Sequence, residues 1–176
     1  SITGNRTIEV ATFRKDIYDR LTAGVRGGAD TGSNRERDPT RIEFCSAEED
    51  ARRRDFTING MFFDPLEGKF IDYVGGQEDL RAKVLRAIGD PVLRFTEDKL
   101  RLLRAVRITT RFDLTIEPAT HAAILAMAPG IRAISAERIA KELRLMLVHP
   151  RRAAAMNLLL ELGLAQAILP EVVPMK

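Results

Sequence analysis

The chain has 176 residues, enough for one ordinary domain or two small ones, and 45% of them are hydrophobic, which supplies a packed core and excludes disorder throughout. Twenty-eight Lys and Arg against 25 Asp and Glu leave a net charge of only +3, so an argument for a nucleic-acid partner has to come from local clustering. The single cysteine, Cys45, excludes an internal disulfide framework and a multi-cysteine zinc site and fits a reducing cytoplasm, and no apolar run approaches the roughly 20 residues that span a bilayer.

The chain opens without methionine and leads at once into a strand-like run at 7–13, in which Ile8, Val10 and Thr12 alternate with Glu9, Ala11 and Phe13. An isolated first strand needs partners, so the native protein is expected to extend upstream, and downstream of Pro174 as well. Glu9 is a lone acid in an apolar, β-branched strand, which by position alone reads as an outward surface acid. Residues 22–41 are rich in Gly, Arg, Asp, Thr and Ser and read as a mobile loop, either a solvated linker or a holder of RNA. Runs at 41–45 and 58–63 are strand-like, and Cys45 reads as a strand residue, since no histidine stands near it to activate a thiol.

Overlapping the second of those runs is RRDFTING at 53–60. Arg53 and Arg54 can approach a triphosphate, while Asp55 and Asn59 supply an acceptor and a mixed donor and acceptor suited to ribose hydroxyls. Plainer readings are open too: the arginines end a charged helix that begins at Ala47, and Asn59-Gly60 forms a hairpin turn. DYVGGQEDL at 72–80 follows, with Gly75-Gly76 either a pivot or a tight turn.

Beyond Tyr73 the pattern is helical, with segments expected at 78–84, 96–111, 118–127, 135–148 and 151–162. Thr96 is placed as the N-cap of the second, with Glu97 and Asp98 in its first turn. At about 100° per residue, Arg101, Arg104, Arg107 and Arg111 share one face within roughly a 120° arc, and Leu102, Leu103, Val106 and Thr110 take another. A solvated basic face is the default for such a stripe, but arginine at all four positions favours planar, bidentate recognition of phosphate or base. Asp98 and Arg101 stand at i, i+3 and together offer an acceptor beside a donor. Cytosine and adenine present an amino donor beside a ring-nitrogen acceptor, so such a pair accepts C and A and rejects G and U.

RRDFTING, DYVGGQEDL, GDPVLRFTEDKLRLLRAVR at 89–107 and SAERIAKEL at 135–143 stand in the order and spacing of motifs B to E of the class II tRNA nucleotidyltransferases, the family of CCA-adding enzymes and bacterial poly(A) polymerases, which this chain resembles from about Ile8 to Val173. The resemblance implies an α+β fold: the latter part of a polymerase β-like nucleotidyltransferase head at 1–74, then an all-helical neck at 75–176. It also implies that Glu9 is the third catalytic and metal-binding carboxylate, and that Arg54, Asp55 and Asn59 contact ribose or phosphates. Asp98 and Arg101 become the amino-acid template for the incoming base, with Arg104 and Arg107 as supports or phosphate contacts. Gly60 departs mildly from the alanine common at its position. The implied reaction is attack of an RNA 3′-hydroxyl on CTP or ATP, with Mg2+, in the cytoplasm.

No Asp-x-Asp pair occurs in the sequence. Two-metal phosphoryl transfer needs it, so this stretch alone is expected to be inactive while the full-length enzyme is active. CCA addition to tRNA is the favoured activity. Partial CCA addition and poly(A) tailing stay open, as does a module that kept the scaffold for RNA binding and lost catalysis; a purely helical interaction domain would leave the arginine stripe unexplained.

Overall fold

The computed structural model describes residues 45–175, so the expectations for 7–13, for 22–41, for 41–44 and for Glu9 lie outside the described residues. Cys45 itself lies in no strand. Of a first compact unit, Ser1–Asp50, the described part is residues 45–50. There helix α1 (Ala47–Arg53) begins with a capping box: the Glu49 N–H donates to Ser46 Oγ at 3.2 Å and the Ser46 N–H donates to Glu49 Oε2 at 2.8 Å.

The second unit, Ala51–Lys176, mixes short strands with helices. A hairpin of β1 (Met61–Asp64) and β2 (Lys69–Asp72) pairs Met61 with Asp72 and Asp64 with Lys69. It is followed by α2 (Gly76–Ala82), β3 (Val84–Leu85), α3 (Pro91–Glu97), α4 (Leu100–Phe112) and β4 (Thr115–Ile116). Helices α5 (Pro118–Met127), α6 (Ala136–Leu147), α7 (Arg152–Glu161) and α8 (Leu164–Ile168) complete it. β3 and β4 pair in parallel, and Phe56 bridges Ala87 antiparallel. The core forms around α4, whose Leu102, Leu103, Ala105 and Val106 are fully buried with Ile124, Ile131, Leu159, Leu162 and Leu164 from later helices. Each buried leucine or isoleucine contributes about 1.5–3 kcal/mol relative to exposure.

The sequence pattern and the structure part company in three places. The helix expected at 96–111 is two helices: Asp98 is extended (φ −147°, ψ 104°), and Thr96 lies inside α3, its hydroxyl donating to the Val92 carbonyl. The real N-cap of α3 is Asp90, which accepts from the Val92 and Leu93 N–H groups with Pro91 in the first turn. The run at 58–63 is not all strand, because 57–59 close a 3-10 turn before β1 starts. Asn59-Gly60 therefore ends that turn, and the hairpin reverses at 65–68 instead, where Gly68 has φ +65°.

Gly75-Gly76 is a clamped turn. The Asp72 carboxylate accepts from the N–H groups of Val74, Gly75, Gly76 and Gln77 at 2.8–3.1 Å, while Gly75 sits at φ +80°. A Cβ on Gly76 would lie 2.2 Å from the Thr57 carbonyl oxygen, so this crossing requires glycine. Burial pushes the Asp72 carboxyl up, but the four N–H donors outweigh it and hold the group below the usual carboxylate range. A depressed folded value means stability that is present above the unfolded pKa and lost as pH falls through the folded one. Asp72→Asn is therefore expected to be less stable than wild type at pH 7, with the gap closing as the pH drops below about 4. Denaturant unfolding at pH 7, 4 and 3 reads this; a gap that ignores pH means that the carboxylate's charge contributes nothing.

Candidate nucleotide-binding cleft

The 53–60 segment is fixed from both sides. The Thr57 N–H donates to the Arg86 carbonyl and the Ile88 N–H to the Asp55 carbonyl, both near 3.0 Å, which pins the segment beside 86–88. Phe56 is fully buried, and the Thr57 hydroxyl donates to buried Asp79 at 2.7 Å. Asp55 is only 5% exposed. Its Oδ1 accepts from the Phe56 N–H and from Asn59 Nδ2, both at 2.9 Å, and its Oδ2 accepts from Arg104 Nε at 2.6 Å. Arg54 donates to the Asn59 carbonyl at 2.8 Å and lies 4.7 Å from the centre of the Phe62 ring. Gly60 is matched to Val74, whose Cγ2 would be 2.6 Å from an added Cβ.

α4 presents its arginine stripe to the same place. Arg54, Asp55 and Asn59 form one wall of an open cleft of about 730 Å³, and Asp98, Arg101, Arg104 and Arg107 form the other. The seven described residues singled out in the sequence for nucleotide binding thus surround one space. Arg111 and Arg138 also line it, giving six guanidiniums against four carboxylates, those of Asp55 and Asp98 in the lining and of Glu97 and Glu142 bonded to Arg101 and Arg107. That excess of positive charge suits a polyanionic ligand. A smaller hollow of about 390 Å³, among Arg52, Tyr73, Arg86 and Glu117, holds none of those seven residues.

The Arg101 N–H donates to the Asp98 carbonyl at 3.1 Å, but the two side chains are each held by other groups. Asp98 Oδ1 accepts from the Leu100 N–H at 3.0 Å, which starts α4, and Oδ2 accepts from Arg138 at 2.7 Å. Arg101 donates to Glu97 Oε2 at 2.6 Å and to the carbonyls of Arg94 and Arg53. Arg94 donates to the Arg52 and Arg53 carbonyls, so two arginines cap the carboxyl end of α1, where cations are favoured. Both template candidates have fixed rotamers before any ligand arrives. Asp98 keeps spare lone pairs, and Arg101 keeps N–H donors.

Two of the residues that do the holding, Arg138 and Glu142, drew no assignment in the sequence. Arg138 and Glu142 stand four apart in SAERIAKEL, and α6 brings Arg138 to Asp98 and buried Glu142 to Arg107 at 2.6 Å. The available signal was two opposite charges on one helix face opposite a stripe of arginines that needed acids. Among the described residues no three His, Cys, Asp or Glu side chains lie together to hold a metal ion. Nor is any described helix long and apolar enough to cross a membrane.

Residues 1–86 match the family model described as the poly A polymerase head domain, and 113–175 match the one described as the probable RNA and SrmB-binding site of polymerase A. The chain is 34% identical to a CCA-adding enzyme of Lactobacillus helveticus over 94% of its own length and 38% of that protein's. It is 34% identical to poly(A) polymerase I of Haemophilus influenzae over 95% of its length and 36% of the relative's. The crystal structure of the Bacillus stearothermophilus CCA-adding enzyme in complex with CTP superposes with a TM-score of 0.67 at 41% identity, covering 70% of this chain and 31% of that one. The chain therefore spans little more than a third of the length of the curated relatives it matches.

Proposed function

The chain belongs to the family of CCA-adding enzymes and bacterial poly(A) polymerases, and from that membership we propose that it selects and orients CTP and ATP for transfer to an RNA 3′ end within a longer nucleotidyltransferase. One observation carries this reading: Asp98 and Arg101, each locked by its own partners, stand on the wall of the cleft that also holds Arg54, Asn59 and Arg104. Asp98 accepts from the amino group of C or A and Arg101 donates to the neighbouring ring nitrogen, so protein groups take the place of a template strand. Arg54 and Arg104 meet phosphate, and Asn59 meets ribose. Asp55 lies behind them; it orients Arg104 and Asn59 and offers the ribose only the lone pairs that those two leave. Arg107, tied to Glu142, supports the stripe.

In this reading residues 1–74 belong to the transferring head and 75–176 to an RNA-facing neck, acting in the cytoplasm. Magnesium would be held by the family's Asp-x-Asp pair, which this sequence does not contain, together with Glu9, and would supply activation of the attacking hydroxyl and charge relief on the leaving pyrophosphate. The described residues contribute binding, orientation and choice of base. CCA addition to tRNA is the activity favoured, and poly(A) tailing is the second reading because a poly(A) polymerase matches at the same identity over the same span. The full-length protein, given tRNA lacking its terminal CCA with CTP and ATP, is expected to add three nucleotides and stop. A long tail from ATP alone selects the second reading, and no incorporation into either RNA with any nucleotide sinks both.

A further inference from the structure

The cleft continues past the residues that the base and triphosphate need. From Arg101 to Phe112 is eleven residues of α4, about 16 Å at 1.5 Å each, and the far end is lined by Ile108, Arg111 and Phe112. Of the four stripe arginines, Arg101, Arg104 and Arg107 each pair with a carboxylate, whereas Arg111 has none among the described residues. Its guanidinium carbon lies 5.5 Å from the centre of the Phe112 ring. Phe112 is the last residue of α4 and is 55% exposed, so its ring contributes little to the core. Asp113 follows at φ +58°, turns the chain away and leaves the ring projecting at the cleft's end.

An exposed aromatic ring with a cation over it and further guanidiniums along the same wall is the combination that holds single-stranded nucleic acid, with bases on rings and phosphates on cations. A lipid or protein partner would be served by more apolar surface than one ring. We infer that the Arg111–Phe112 end of the cleft is a stacking site for a base of the single-stranded RNA end that receives the addition, with Arg111 on its phosphate. This rests on the nucleotide-transfer reading, which places the incoming nucleotide at the Asp98 end and so requires the acceptor strand to enter from elsewhere.

The test uses the full-length enzyme and its Phe112→Ala, Phe112→Tyr and Arg111→Ala variants. Two quantities are measured: binding of a short single-stranded RNA carrying a fluorescent base near its 3′ end, and the KM values for RNA and for CTP. Phe112→Ala is expected to weaken RNA binding about tenfold, with loss of the stacking quench, and Phe112→Tyr to retain both. Arg111→Ala weakens RNA binding and flattens its salt dependence. The rise in KM falls on RNA and not on CTP. RNA binding by Phe112→Ala within twofold of wild type overturns the proposal, and so does a loss that falls on CTP, which would make this end a triphosphate site. Absence of nucleotide addition by the wild type counts against the transfer reading, while the quench still decides the stacking site.

Discussion

Arg104→Ala is expected to destabilise the protein by about 2–3 kcal/mol and to weaken all four nucleotides alike. Asp55 shows 6% side-chain exposure, and its Oδ2 has Arg104 as its ion-pair partner at 2.6 Å. Removing one member of a buried pair leaves a desolvated carboxylate without its cation, which costs about 3–5 kcal/mol when both are fully enclosed. Arg104 keeps 37% exposure, so water screens part of that loss and sets the lower range. Asp55 also holds Asn59, so the whole wall formed by 53–60 loosens and phosphate contacts go with it. Adding Asp55→Asn to Arg104→Ala should recover much of the stability, since the stranded charge is gone, without restoring nucleotide affinity. Chemical denaturation of the two single variants and the double variant, with CTP, ATP, UTP and GTP affinities alongside, reads both effects. A single variant within about 0.5 kcal/mol of wild type would mean that the pair is solvated and Asp55 needs no partner.

The distinction between what the sequence disclosed and what it hid follows the range of the interactions. Helices α5, α6 and α7 were legible because their ends are made locally: Glu117 caps α5 ahead of Pro118, Ser135 stands before α6, and Gly163 takes φ +71° after α7. The arginine stripe was legible for the same reason, since a helix fixes which residues share a face. The break at Asp98 carries no proline or glycine to announce it; it arises where an aspartate side chain caps the next helix from between two helical runs. One partner of that aspartate and one of Arg101 lie tens of residues away, at Arg138 and at the end of α1. Local pattern cannot report a contact set by how helices cross, so the sequence brought out residues that line one cleft and missed Arg138 and Glu142, which hold two of them. Of the readings left open, Gly75-Gly76 is the tight turn, held by Asp72, whereas Asn59-Gly60 closes a 3-10 turn in place of a hairpin.

Asp98→Ala should relax the choice of base and cost the correct nucleotides about 1–3 kcal/mol, roughly 5- to 150-fold in catalytic efficiency. Two functions of Asp98 have to be separated, because its Oδ1 starts α4 on the Leu100 N–H while its Oδ2 meets Arg138. Asp98→Asn retains an oxygen for the helix cap but presents an amide with its own donors toward the base, so it should preserve stability and still lose discrimination. Arg138→Ala leaves Asp98 in place and removes what aims it. It should lower the preference for C and A over U and G by less than Asp98→Ala does, with a modest loss of stability, because Arg138 is half exposed. Catalytic efficiencies for the four nucleotides, measured on the full-length enzyme and these three variants, form the comparison. Should Asp98→Ala and Asp98→Asn depress every nucleotide in parallel and keep the preference for C and A, the carboxylate is a helix cap and a tether for Arg138, and base selection has to be sought in Arg101 alone.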